Sequence, residues 1–407
     1  MQIIHSLRTA LLITILPASA IAGSFKEVSK HLDTDGNFLT YADFEGDGGR
    51  IGQALNEIYA EIMAHQPLLA LVQMDFTQLF ETLGFSCVRS LGASSKALND
   101  DIYANRFALL LQEGTPKGLF TLYGVPQSPE TRFTAAELAP ADATAAISGI
   151  LQLQSLRDTV IDILGQSMGP MGLNLAKLTL AKPIPGTDIT YDEAIEGLSG
   201  KWDLFWHEGF DESFTPIYKV WMRIKGASDI AMRLQPLANG LPITVNESED
   251  GLQADLSGLV PMPGVELFIE TSTKEDTLTM YTHSDWGPES KGPRLHQTPG
   301  FSRLAKHLPK KALNFSYSDA HDLNFILEMI EQSSPESAPY IKALEKTLDL
   351  FIGDFLEPAA SASYYKGESI VMDTYSAYSF KQIGALLPGG LIAGVAASVA
   401  IFTLDTM

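Results

Sequence analysis

Hydrophobic positions recur along this chain at two different spacings, and the switches between them predict its elements. From Arg50 to Gln66, Ile51, Leu55, Ile58 and Ile62 fall at helical spacing and give an amphipathic helix with one apolar stripe. A second helix is predicted from Asp75, which caps its first turn while Gln78 closes a capping box, with Phe76, Leu79, Phe80 and Leu83 turned inward. Strand-like runs are Phe38 to Phe44, Phe85 to Leu91 and Arg106 to Gln112. The last is expected to form a hairpin with Leu119 to Val125 across Gly114-Thr115-Pro116-Lys117-Gly118. Tyr218 to Ile224 alternates apolar with charged or amphipathic residues, the period of a strand with one wet face. Ile243 to Asn246, Leu252 to Leu256, Val265 to Thr271 and Thr277 to Thr282 continue that pattern as an antiparallel meander, turned at Glu249-Asp250-Gly251 and Lys274-Glu275-Asp276. Helical spacing returns at Ala320 to Ile330 and Pro339 to Phe351, before a hairpin of Ser361 to Tyr365 and Ser369 to Tyr375 turned by Lys366-Gly367-Glu368.

A weak internal echo runs through this order. Leu119-Phe120-Thr121-Leu122-Tyr123 recurs as Leu278-Thr279-Met280-Tyr281. Leu138-Ala139-Pro140-Ala141-Asp142-Ala143 recurs as Leu308-Pro309-Lys310-Lys311-Ala312, each leading into a strand, Ala143 to Leu151 and Ala312 to Ser318, and then a helix. Gly200-Lys201-Trp202 recurs as Gly353-Asp354-Phe355, read as the start of a strand in both copies. The first copy carries an insertion around Gly165 to Lys182. The expectation is an α+β fold of two related units, each an antiparallel sheet with packed helices, over residues 23–213 and 214–380.

The two ends read differently from the middle. His5 and Arg8 precede the apolar run Ala10 to Leu16, then Pro17 and the small-x-small sites Ala18-Ser19-Ala20 and Ala20-Ile21-Ala22. That is the order of a secretory signal peptide over Met1 to Ala22, with cleavage expected after Ala22. Within residues 381–407, Ile383 to Leu404 contains no charged residue, and its length of roughly 33 Å as a helix matches the ~30 Å hydrocarbon core. A transmembrane anchor is therefore expected there. Pro388 interrupts the run and its Gly and Ala make it only moderately hydrophobic, so a buried hairpin or hydrophobic C-terminal helix is the alternative, and with no Lys or Arg after Leu404 the orientation is unmarked.

Three stretches carry a resemblance: Leu83-Gly84-Phe85 leading to Leu91-Gly92-Ala93-Ser94-Ser95, then Gly118-Leu119-Phe120-Thr121-Leu122-Tyr123-Gly124, then Leu138 to Ala143. In these the chain is similar to a family of uncharacterised exported proteins from envelope-rich bacteria. The resemblance implies export to the periplasmic or cell-surface side, and it implies no activity, cofactor or catalytic residue.

Charge narrows the classes of partner. With 28 Lys and Arg against 49 Asp and Glu, the net charge of −21 repels polyphosphate, so neither nucleic-acid binding nor adhesion to anionic lipid through basic patches is expected. The single cysteine, Cys87, excludes an intrachain disulfide and a cysteine-cluster metal site, and its apolar neighbours make it a buried inert thiol. Asp33-Thr34-Asp35-Gly36-Asn37 opens like a calcium loop, but Phe38 and Phe44 stand where that loop needs Gly and Glu, so an Asp-Gly turn is expected and no metal. His207-Glu208 lacks the second histidine of a zinc site, because Asp211 holds its place, and is expected in a solvated acidic loop.

Two patterns remain as candidate chemistry. Gly165-Gln166-Ser167-Met168-Gly169 has the form of a nucleophile elbow, which would make Ser167 the nucleophile of a serine esterase. Leu156 to Leu164 before it has helical spacing and Pro170 follows it, so a helix-ending glycine turn is the stronger expectation. Trp202, Trp206 and Phe210 fall at even, strand-like spacing and could line a groove for a ligand. The leading expectation is an exported, membrane-tethered, non-enzymatic module that binds a protein, lipid or glycan and needs no cofactor, with a hydrolase using Ser167 as the alternative.

Overall fold

A computed structural model describes residues 21–65, 74–112, 116–122, 124–128, 130–210, 216–238, 241, 243–259, 266–320 and 353–382. The expected signal segment up to residue 20, the helices expected at 320–330 and 339–351, and the apolar segment from 383 onward lie outside them, apart from Ala320. Among the described residues no helix is long and apolar enough to cross a membrane.

One large antiparallel sheet organises the α+β fold. Its strands in chain order are β1 (Phe38–Asp43), β2 (Val88–Asn99), β3 (Ile102–Leu111), β4 (Ala145–Leu151), β5 (Gly200–Phe210), β6 (Pro216–Lys225) and β7 (Thr244–Ser248), followed by β8 (Gly251–Asp255), β9 (Phe268–Ser272), β10 (Thr277–Tyr281), β11 (Asn314–Ser318), β12 (Ala359–Lys366) and β13 (Ser369–Ser376). In space they lie in the order β1-β2-β3-β13-β12-β11-β4-β5-β6-β10-β9-β8-β7. Of the meander expected from Tyr218 to Thr282, β7 to β10 are consecutive antiparallel neighbours, but β6 pairs with β10 rather than with β7; the hairpin turned at Lys366-Gly367-Glu368 is present as β12 and β13. Strands distant in sequence meet at three ladders. β3 pairs with β13 from Tyr103↔Ser376 to Leu110↔Ser369, β10 with β6 from Thr277↔Lys225 to Tyr281↔Trp221, and β11 with β4 through Phe315↔Ser148.

The helices are α1 (Ile21–Val28), α2 (Asp47–His65), α3 (Phe76–Thr82), α4 (Thr134–Leu138), α5 (Leu153–Leu180), α6 (Tyr191–Gly197), α7 (Ser228–Arg233) and α8 (Pro299–Ala305). Because side chains alternate across a sheet, each strand divides its residues between two environments. One face presents Phe205, Trp221, Tyr281, Tyr317 and Tyr375 to a core closed by Ala135 and Ala136 of α4, Phe301 and Leu304 of α8, and Trp286. Aromatic geometry orders this layer, with Phe205 stacked on Trp221 at 4.7 Å and edge-on to Trp286 at 5.3 Å. α1 continues the cover further along, where Val28 and Leu32 pack on Ala108, Leu110 and Val371.

Several expectations need correction. Leu119 is not in a strand; Gly118–Thr121 form a 3-10 turn, and β3 lies between β2, its hairpin partner, and β13. The run Gly92-Ala93-Ser94-Ser95 lacks the branched side chains that mark a strand, yet it lies within β2, where its small residues let α1 approach closely. Phe85–Cys87 form another 3-10 turn rather than the start of that strand. Gly353 to Phe355 are helical, so the echo with Gly200 fails there, and Leu119 to Leu122, in a 3-10 turn, does not match β10 in structure. Leu138-Ala139-Pro140 precedes β4 and Leu308-Pro309 precedes β11. His207 and Glu208 belong to β5, not to a loop, because the alternation of that strand runs on to Phe210.

Helix α2 forms where expected but presents its stripe outward: Ile58 is 54% exposed, and Ile51 and Ile62 are similar. Its contact face is Gly52, Asn56 and Tyr59. Gly52 lies against Thr77, Asn56 Nδ2 donates to Asp75 at 2.9 Å, and Tyr59 meets Phe76 edge-on at 5.6 Å. Asp75 caps α3 as expected, accepting from the backbone N–H groups of Thr77 and Gln78.

Candidate ligand cavity

On the sheet face opposite the main core, β3, β13, β4 and β5 bring Phe107, Leu109, Ile370, Met372, Ile147 and Trp202 to one wall of a cavity of about 700 Å³. The two 3-10 turns supply Phe85, Leu119 and Phe120 as its cover. Backbone contact holds these turns together. Gly84 and Gly118 both have positive φ, +91° and +53°, and the Leu119 N–H donates to the Leu83 carbonyl at 3.2 Å. A Cβ at Gly84 would strike the Lys117 carbonyl, so glycine there serves both conformation and approach. The Phe85 and Phe120 rings meet edge-on at 6.1 Å, and Phe85 remains 44% exposed.

The lining is almost wholly apolar, with a short polar stripe of Ser316, Ser361, Ser363 and Asn314. Ser361 Oγ lies 2.9 Å from Thr374 Oγ1, and the Tyr365 hydroxyl donates to the Gly124 carbonyl at 3.2 Å, which ties β12 to the cover. Burial, with the nearby Cys87 thiol as a smaller cause, pushes the Tyr365 phenol up to about 12. Burial likewise raises the Cys87 thiol, so it is inert rather than nucleophilic. Trp202 Nε1 is buried with no acceptor among the described residues, an uncommon state for an indole N–H. Its ring packs beside Gly149, where a Cβ would stand 3.3 Å from Nε1 and run into Asn314 Oδ1.

Of the three aromatics singled out by spacing, Trp202 lines this cavity. Trp206 and Phe210 continue along the same face of β5, opposite Val220 and Pro216, and Phe210 is 39% exposed. Spacing alone left Phe85, Phe107, Phe120, Tyr365 and Ile370 unmarked, since they come from separate elements.

The other candidate residues are accounted for by local structure. Ser167 lies in α5, which reverses direction at Gly169 (φ 61°, ψ −151°), with Pro170 opening the second arm. Its Oγ donates to the Leu164 carbonyl at 3.5 Å, and the residues before it are helical, not the strand a nucleophile elbow requires. Leu164 of the first arm and Leu175 of the second both line an apolar cleft. Asp33 accepts from Arg106 at 3.2 Å and Asp35 from Lys96 at 2.7 Å, so both carboxylates are taken by cations. His207 Nδ1 lies 2.7 Å from the Asp142 carbonyl. Among the described residues no group of His, Cys, Asp and Glu could hold a metal ion.

Comparison with known proteins finds no family model, no curated protein and no solved structure that matches this chain.

Proposed function

We propose that this chain is an exported, membrane-tethered envelope protein that binds an apolar ligand without transforming it, with a lipid acyl chain as the ligand class. The observation that carries the reading is the cavity between the sheet and the Phe85–Phe120 cover. Its volume of about 700 Å³ lies within the ~300–1,000 Å³ of ligand sites, and its wall is hydrocarbon relieved by a few hydroxyls. The signal-like start and the uncharged run from Ile383 to Leu404 support the location.

The sheet is proposed to combine two related units, one made of β2 to β6 and the other of β9 to β13. Each has a hairpin, a short helix, a central strand entered from a Leu-Pro or Ala-Pro step, and a second hairpin. The ladders β3·β13 and β6·β10 then interleave the units, so each completes the other's sheet.

The test is native mass spectrometry of the full chain purified from membranes, beside fractionation with a C-terminal epitope. Co-purified lipid and sedimentation with membranes are expected. A chain that leaves its source without lipid, and takes up none from mixed vesicles, would end the binding reading; a C-terminal epitope in the soluble fraction would end the tether.

A further inference from the structure

Charge is unevenly spread along this acidic chain. Against totals of 49 acidic and 28 basic residues, Ser290 to Ser318 contains six Lys or Arg and no Asp or Glu. That segment crosses the main-core face as α8 and enters the sheet as β11. At Lys311 it joins Arg132, Lys201 and Lys225 around a depression of about 330 Å³. Lys201 and Asp203 alternate with Trp202 along β5, so they share the face of Phe205 and α4, while the Trp202 ring turns to the apolar cavity on the other side. We infer that this depression is a binding site for a phosphate-type oxoanion, separate from the apolar cavity and its ligand.

Backbone register sets the four cations as two like-charged pairs. Lys201 and Lys225 stand one residue beyond the Trp202↔Ile224 pair, side by side at the ends of β5 and β6. Arg132 and Lys311 stand one residue beyond the antiparallel Thr131↔Ala312 bridge, again opposite each other. Like charges opposed in this way cost stability until an anion enters between them. The chain supplies little counter-charge of its own. Arg132, Lys225 and Lys311 make no ion pair among the described residues, and Lys201 Nζ donates to the Glu130 carbonyl at 3.1 Å rather than to a carboxylate. Asp203 borders the depression, but it already accepts from Arg223 Nη2 at 2.7 Å, from Ser148 Oγ at 2.8 Å and from Thr134. Glu130 is then the one carboxylate left among the lining residues to set against four cations. A wider depression shares Arg132 and Lys311 and adds Lys310 and His296 against Glu137, which extends the positive field. Arg223 Nε and Arg303 Nε are buried with no acceptor among the described residues, so this side of the fold is short of acceptors rather than donors. Phosphate oxygens meet that need, accepting from the guanidinium fork of Arg132 and from several ammonium groups at once.

The experiment titrates the full-length chain with inorganic phosphate by calorimetry at about pH 8, with chloride keeping the ionic strength constant, and records melting temperatures on the same samples. Binding on the order of millimolar is expected. Lys201→Gln combined with Lys311→Gln should weaken it about tenfold, and Arg132→Gln alone about threefold. Without phosphate the double variant should melt above the unsubstituted protein, because repulsion is relieved, and phosphate should close that gap. Lys274→Gln, in the exposed β9–β10 turn, should change neither quantity. Phosphate also stabilises proteins by exclusion from their surface, an effect these substitutions leave intact. An equal rise in melting temperature for all variants, without titration heat in the unsubstituted protein, therefore overturns the inference. Binding that Lys201→Gln with Lys311→Gln and Arg132→Gln both leave unchanged puts the anion elsewhere and also overturns it. Glycerol phosphate and a soluble short-chain phosphatidate carry the same head and distinguish its source. Tighter binding of the phosphatidate assigns a lipid head and equal binding a soluble ester, and both outcomes support the site.

Discussion

Asp203 and Arg223 stand opposite each other on β5 and β6, paired in register, with Nη2 2.7 Å from Oδ2 and both side chains largely buried. The same carboxylate accepts from Ser148 on β4 and Thr134 on α4, so one charge joins three strands and a helix. Asp203→Asn keeps the shape and leaves the guanidinium buried without its counter-charge. A loss of about 3–5 kcal/mol is expected in urea unfolding followed by tryptophan fluorescence. Asp203→Leu with Arg223→Met should recover most of that loss, because removing both charges also removes their desolvation cost. A cost below about 1 kcal/mol for Asp203→Asn would mean that the pair is no more than a surface bridge.

Gly149 is where the cavity wall has no room for a side chain. Gly149→Ala places a Cβ against Asn314 Oδ1 and 3.3 Å from Trp202 Nε1, so the Asn314 amide must swing away, giving up its bond from the Ile150 N–H, and the Trp202 ring must give slightly towards the cavity. Overpacking of this kind costs about 1–3 kcal/mol. The expected result is a lower melting temperature, a shifted Trp202 emission and weaker uptake of an apolar dye. An unchanged dye affinity would place the ligand elsewhere.

The Gly-x-Ser-x-Gly stretch makes opposite demands on its residues. Gly169 holds φ 61° and ψ −151°, a region open to little but glycine, so Gly169→Ala should cost about 1–3 kcal/mol and loosen α5 in hydrogen exchange. Ser167→Ala removes one long hydrogen bond within the helix and should change stability by less than about 0.5 kcal/mol. A fluorophosphonate probe should leave Ser167 unlabelled; labelling that disappears in Ser167→Ala would restore the esterase.

The sequence showed most where periodicity and burial agree. The β7–β8, β9–β10 and β12–β13 hairpins were legible because each closes two strand-like runs through a turn of few residues. β2 was half hidden, since Gly92 to Ser95 select for close helix approach rather than for strand propensity. The stripe of α2 was found but its direction was not, because spacing identifies a face without saying what meets it. The β3·β13 and β6·β10 ladders join residues too far apart in sequence for any local pattern. Hence only Trp202 of the cavity was marked in advance, and Phe107, Phe120 and Tyr365 were not.

Tyr365 gives the cavity a pH signature. Its phenol is raised from 10.0 to about 12 in the folded chain, chiefly by burial. Below pH 10 it is protonated whether folded or unfolded and contributes no pH dependence. Between pH 10 and about 12 the unfolded chain releases the proton while the folded chain keeps it, so stability falls as pH rises through that window, by at most about 1.4 kcal/mol per pH unit. Tyr364 and Tyr317 are raised in the same sense by their burial and by Asp373 and Asp319 beside them, so alkaline unfolding should be steep. Tyr365→Phe loses the bond to the Gly124 carbonyl, costing about 1 kcal/mol at neutral pH, and should flatten the alkaline limb. Urea midpoints at pH 8, 10 and 11, with phenolate absorbance on the same samples, measure both effects. Parallel limbs for the two proteins would show that this phenol ionises as freely in the fold as outside it.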